Sequence, residues 1–212
     1  MAGEAKGTGG LFITLEGGDG AGKTTQAELL QEWLEEHGRT VLRTREPGGT
    51  PLGVAIRRLL LHDEAAIAPR AEALLYAADR AHHVATVVRP ALARGEVVLQ
   101  DRYLDSSVAY QGAGRVLDPQ EIRELSLWAT DGLLPDLTIL LDLAAGAARA
   151  RREASRAAPD RMEAEADAFH ERVREGYLAL ARAEPSRFLV VDAAQPARTV
   201  SALIRDEVAA RL

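Results

Sequence analysis

Positions 17–24 read GGDGAGKT and match the spacing G-x-x-x-x-G-K-[ST] in full. They follow a run rich in β-formers, LFITLE at 11–16, and precede a stretch with apolar residues at helical spacing, 24–38. Strand, glycine-rich loop and helix in that order form the context in which the pattern holds phosphate. Glycines let backbone N–H groups turn inward on phosphate oxygens, and the helix adds its partial positive N-terminus. Gly17, Gly18, Asp19, Gly20, Ala21, Gly22, Lys23, Thr24 and Thr25 are therefore the expected site for the phosphates of a nucleoside triphosphate. Lys23 can reach the β- and γ-phosphates, and the Thr24 hydroxyl can ligate Mg²⁺. The chain has only two lysines, Lys6 and Lys23, and its other basic residues are arginines, so the lysine at this position stands out.

The rest of the chain continues the alternation. Short apolar runs at 40–45, 96–101, 137–142 and 187–192 read as buried parallel strands, several ending in a charged residue. Between them lie helical patterns at 52–61, 70–95 (bent near Pro90), 119–132, 145–156, 163–183 and 197–212. Alternating strands and helices predict an α/β domain, and five strands suit an open three-layer α/β/α sandwich. Positions 1–10, glycine-rich and without an apolar core, read as a flexible tail, leaving 11–212 as a single domain.

Composition removes several alternatives. The net charge of −6 argues against a partner such as a nucleic-acid polymer, bound through its backbone. No run is long and apolar enough for a membrane span; the best, at 137–148, is short and carries Asp142. Absent cysteine excludes disulfides and Cys-zinc sites, and a cytoplasmic location is the default expectation. The chain has no asparagine, so the N-K-x-D signature of a guanine-reading switch is impossible. Hydrolysis for work and transfer to an acceptor remain, and transfer requires a second anion site facing the loop.

Three stretches are candidates for that site. Residues 43–58, RTREPGGTPLGVAIRR, can bring Arg45 and Arg57 around an anion. In 74–80, LLYAADR, Tyr76 and Arg80 stand at i and i+4 on one helix face, a ring to stack on a base and a guanidinium for its edge. In 101–112, DRYLDSSVAYQG, Asp101 ends a strand and can support Mg²⁺, Arg102 can hold phosphate, and Ser107, Tyr110 and Gln111 can line a sugar and base pocket. Taken singly, each is equally readable as core, helix surface or turn.

Together, in this order behind the phosphate loop, the segments at 12–26, 44–53, 74–80, 101–112, 160–163 and 169–177 resemble the bacterial thymidylate kinases over roughly residues 11–205. The resemblance implies a P-loop kinase fold with strand order 2-3-1-4-5, a helical lid at about 150–163, and transfer of the ATP γ-phosphoryl group to dTMP with Mg²⁺. It also implies a homodimer. By the same likeness Asp19 would accept from the 3′-hydroxyl of dTMP, and Arg57 and Arg102 would bind its phosphate with Arg45 nearby. Glu46 would assist metal or water there. Tyr76 would stack on thymine, Arg80 would bond its edge, Ser107 and Gln111 would complete the base site, and Tyr110 would crowd the 2′ position. Arg149 would stack on adenine. Lys23, Arg102 and Asp101 would act at the transferring group with a lid arginine, Arg156 being favoured over Arg161. Other readings are a kinase for a different nucleoside monophosphate and a nucleotide-binding regulator without catalysis.

Overall fold

The computed structural model describes residues 9–62, 66–115, 117–154, 160–163 and 165–212. Most of the expected tail, and Arg156 in the lid, lie outside them. Five strands form one parallel sheet: β1 (Leu11–Glu16), β2 (Val41–Arg45), β3 (Val97–Asp101), β4 (Leu137–Asp142) and β5 (Phe188–Asp192). Their order is β2-β3-β1-β4-β5, as the resemblance implied. Both faces of the sheet are covered, which is why its strands read as continuous apolar runs. Along β1, Phe12 packs with Val98, Tyr103 and Leu104, whereas Ile13 packs with Leu30, Leu34, Leu99 and Ile204. Register places Leu15 and Arg45 on either side of Asp101, and Glu16 beside Leu140, so charged residues gather at one carboxyl edge.

The helices are α1 (Lys23–Glu36), α2 (Pro51–His62), α3 (Pro69–His83), α4 (Arg89–Ala93), α5 (Leu104–Ser107), α6 (Pro119–Ala129), α7 (Ala145–Ala154), α8 (Asp167–Ala183) and α9 (Ala197–Ala209). The bend expected near Pro90 is a π-helical stretch, Val84–Val88, joining α3 to α4. Proline has no N–H for the carbonyl four residues back, and the Arg89 N–H instead reaches the carbonyl of Val84. A second π-helical stretch, Val108–Gly114, continues α5. Its sequence, VAYQGAG, has two glycines and no strong helical signal. Tertiary contacts impose it: a Cβ on Gly112 would come within 3.0 Å of Pro119, and one on Gly114 within 2.7 Å of the Phe169 ring. No helix among the described residues is long and apolar enough to cross a membrane. Trp33, on α1, packs against the core, while Trp128 is 82% exposed.

One buried ion pair ties the edge of the sheet to α5. Arg187, just before β5, donates two bonds to the fully buried Asp105, at 2.6 and 2.9 Å, and one to Thr138 Oγ1 on β4. Glu184 takes two further N–H groups of the same guanidinium. Removing one partner strands the other charge out of water. Asp105→Ala is expected to cost about 3–5 kcal/mol in urea unfolding. Asp105→Leu combined with Arg187→Met is expected to recover part of that loss, because no charge remains buried. A single variant as stable as the parent would contradict this account.

Candidate active site

The phosphate loop joins β1 to α1. Gly17, Gly20 and Gly22 have φ of 129°, 85° and 99°, in the region that L side chains rarely adopt. A Cβ on Gly17 would also sit 2.5 Å from the carbonyl oxygen of Leu141. Gly22 precedes α1 and provides no side-chain cap, so the first-turn N–H groups face the loop's concavity. Lys23 is buried, and its Nζ donates to the carbonyls of Gly17 and Gly18 at 3.1 and 3.0 Å. Burial, then the nearby Arg102 cation, lowers the Lys23 pKa; Asp101, Asp19 and Glu16 oppose this. A cation so poorly solvated gains much from an incoming phosphate.

Arg102 follows β3 with φ of 66°, uncommon for a non-glycine residue, while its N–H donates to the carbonyl of Leu15. That backbone turn sends the side chain over the phosphate loop. Its Nη2 donates to Asp19 Oδ1 at 2.6 Å and to the Tyr110 hydroxyl at 3.2 Å, and its carbon lies 4.9 Å from the centre of the Tyr110 ring. Its Nη1 faces the hydroxyls of Ser106 and Tyr177, at 3.3 and 3.4 Å.

Behind that pair is Glu16, fully buried at the end of β1. It accepts from the Tyr103 N–H at 2.7 Å and from the hydroxyls of Ser106 and Tyr177 at 2.6 and 2.9 Å. Burial, helped by the charge of Asp105, pushes its carboxyl up to about 7. Motif reasoning passes over Glu16, Ser106 and Tyr177. The signal available for Glu16 is a carboxylate ending a run otherwise fit for a buried strand.

A cavity beyond Arg102 is lined by Asp19, Glu46, Arg57, Tyr76, Arg80, Arg102, Ser107, Tyr110 and Gln111. The fold thus brings together residues from four separated stretches. Arg80 is 1% exposed, where its residue type alone suggests a surface position. It donates to Glu46 at 2.8 Å, to the Ser126 and Ser107 hydroxyls at 3.0 Å, and to the Tyr103 carbonyl at 3.2 Å. Glu46 is 3% exposed and is clasped on its other oxygen by His83, at 2.9 Å. It therefore sits as the anchor of Arg80. Arg57 donates to the Pro47 carbonyl at 3.1 Å.

Two expected residues lie elsewhere. Arg45 is exposed and lines a separate cleft with Thr24, Thr44 and Asp101. Arg149 donates to Asp167 on α8 at 2.7 Å. A different arginine, Arg151, lines the cleft beside Gly20, Gly22 and Thr25, its Nη2 donating to the carbonyl of Ala193 at 2.9 Å. The sequence gives no sign of which of two arginines in one helix faces that cleft. The catalytic arginine favoured in the lid, Arg156, lies outside the described residues, whereas Arg161 donates to the Leu60 carbonyl at 2.7 Å and pairs with Glu72.

The cleft holding Thr24 and Asp101 suits a hard cation. Asp101 Oδ1 is buried with no hydrogen-bond partner, a costly state that a cation would relieve. A carboxylate and a hydroxyl are the oxygen donors that Mg²⁺ takes when phosphates and water supply the rest.

Comparison with known proteins gives a consistent result. The family described as "Thymidylate kinase" matches residues 15–204. The thymidylate kinase of Leifsonia xyli subsp. xyli (strain CTCB07) is 72% identical over 196 residues, covering 92% of this chain and 93% of that protein. The thymidylate kinase of Bifidobacterium longum (strain NCC 2705) is 59% identical over 203 residues, covering 94% and 97%. The crystal structure of thymidylate kinase from Ehrlichia chaffeensis is 32% identical, with a TM-score of 0.77 and coverage of 94% of this chain and 99% of that one.

The Glu16 carboxyl gives a prediction. Its ordinary value is 4.5, so between there and about 7 the folded chain holds a proton that the unfolded chain releases. Stability from this group is complete below 4.5 and is lost as pH rises through about 7, by on the order of 3 kcal/mol in total. Glu16→Gln stays neutral, and the Ser106 and Tyr177 hydroxyls can accept from its amide. Urea unfolding across this pH range is expected to give the variant a flatter fall in stability than the parent. Parallel curves would exclude Glu16 as the titrating group.

Proposed function

The chain belongs to the thymidylate kinase family, and we propose that it transfers the γ-phosphoryl group of ATP to dTMP, giving dTDP and ADP, within dTTP synthesis. The observation that carries the site assignment is the cavity behind Arg102, which opens on the phosphate loop at Asp19. Its lining offers an aromatic ring, Tyr76, polar groups suited to a base edge, and two cations for a phosphate, Arg57 and Arg102.

In this reading ATP lies with its phosphates in the loop and its base toward the cleft lined by Arg151. A dTMP phosphate oxygen attacks the γ-phosphorus in line, the bond to the bridging oxygen of the β-phosphate breaks, and ADP leaves. The attacking oxygen is already ionised near neutral pH, so no strong general base is required, and the protein's contribution is positioning and charge neutralisation. Lys23 exchanges the carbonyls of Gly17 and Gly18 for the β- and γ-phosphates. Arg102 exchanges its bond with Asp19 for the acceptor phosphate, which frees Asp19 for the 3′-hydroxyl. Thr24 and Asp101 would hold Mg²⁺, which when bound supplies positive charge to the phosphates. Arg156, with the lid at 150–163, is proposed to cover the transferring group and keep water out.

The homodimer and the cytoplasmic location belong to the same proposal. Leu74 on α3 and Trp128 on α6 are large apolar side chains 57% and 82% exposed, which supports self-association. A monomeric mass in sedimentation would remove the dimer.

ADP release with Mg²⁺ and ATP is expected to be strong with dTMP, weak with dUMP and negligible with dCMP, dGMP, AMP or no acceptor. Strong activity on another nucleotide would move the acceptor assignment. A folded, ATP-binding sample with no acceptor-dependent release would favour a regulator. In the same assay Lys23→Ala and Arg102→Ala are each expected to lose roughly a hundredfold or more in turnover.

A further inference from the structure

Glu72 has no assigned role, yet it is fully buried in α3, one helical turn before Tyr76 and two before Arg80, on the face that meets the cavity. Its Oε1 accepts from Gln111 Nε2 at 3.0 Å and from Arg115 Nε at 3.2 Å. Its Oε2 accepts from Arg161 Nη2 at 2.5 Å and Arg115 Nη2 at 3.4 Å. Burial works to raise the Glu72 pKa, but hydrogen bonds from Gln111, Arg115 and Arg161 hold it below the ordinary value. An ionised carboxylate only accepts hydrogen bonds. The Gln111 group facing it is therefore the NH₂, which leaves the amide oxygen as the acceptor for a ligand in the cavity that Gln111 lines.

We propose that Glu72 is a specificity-positioning residue. By fixing the Gln111 amide, it makes the pocket accept a hydrogen bond from the acceptor base beside the remaining Nη1 donor of Arg80. The edge that matches an acceptor next to a donor is an imide, N–H beside C=O, as in thymine or uracil. Cytosine presents the reverse, a ring nitrogen lone pair beside an amino group, and leaves both protein groups unpaired. The inference rests on the reading that the acceptor pyrimidine occupies this cavity. Arg115 and Arg161 keep Glu72 charged and so keep the amide from turning over.

The test is the ratio of kcat/KM for dTMP to that for dCMP in the parent, in Glu72→Gln and in Gln111→Leu. In Glu72→Gln the new amide's oxygen takes the Oε2 place, where the Nη2 groups of Arg161 and Arg115 donate, at the loss of the Arg115 Nε bond. Its NH₂ then faces Gln111, whose amide turns its own NH₂ into the cavity. The ratio is expected to fall by about tenfold or more, and to fall similarly in Gln111→Leu. In the Gln111→Leu background, adding Glu72→Gln is expected to leave the ratio unchanged. A purely structural role would lower both substrates together. A folded Glu72→Gln protein with the parent's ratio would overturn the proposal while leaving the acceptor-pocket reading intact. Should Glu72→Gln fail to fold, a parental ratio in Gln111→Leu overturns it equally. A parent that uses dCMP as well as dTMP would overturn the pocket reading and the inference with it.

Discussion

Glu16 is a carboxylate without contact to water, and the carboxyl edge of the sheet is arranged around satisfying it. Its three donors come from the turn after β3, from α5 and from α8. Two of them, the Ser106 and Tyr177 hydroxyls, also face Arg102 Nη1. The cost of leaving such a group unpaired is several kcal/mol, so the elements that carry the donors are held in one register. Arg102 inherits its place from that register, and through Arg102 so do Asp19 and the phosphate loop.

The same device recurs around the cavity and at the edge of the sheet. Arg80 is spread over Glu46, two serine hydroxyls and a carbonyl; Arg187 is clasped by Asp105 and Glu184; Glu72 collects Gln111, Arg115 and Arg161. Buried pairs of this kind contribute little net stability, since desolvation consumes most of the attraction. Their effect is on geometry: each guanidinium presents its planar fork in one direction, and each carboxylate dictates which face of its neighbour meets the cavity. A pocket built this way reads hydrogen-bond polarity, which shape alone reads poorly.

Much of this was legible beforehand because period and punctuation carry the information. The phosphate loop has a required glycine spacing, buried strands read as short apolar runs, and Tyr76 with Arg80 shares a helix face by arithmetic. Most boundaries slipped by one to three residues, and the helix expected over 163–183 begins at Asp167. The segment 104–114 was not readable as helical, since its glycines oppose that conformation and only close packing against Pro119 and Phe169 imposes it. Nor could spacing decide between Arg149 and Arg151. Two positions apart on a helix, they point in different directions, and only the placement of α7 against the β5–α9 turn selects Arg151 for the cleft.

The sequence by itself determined the phosphate loop, the alternation of strands and helices and the order of the motif segments. These depend on local backbone freedom and on hydrophobic period, which neighbouring residues suffice to set. Tertiary structure alone decided which charges are buried and with whom. Glu16 meets Tyr177 across 161 positions, and Glu72 meets Arg161 across 89. Partnerships over such distances leave no periodic trace, and they arise only when the packed layers exclude water from the groups concerned.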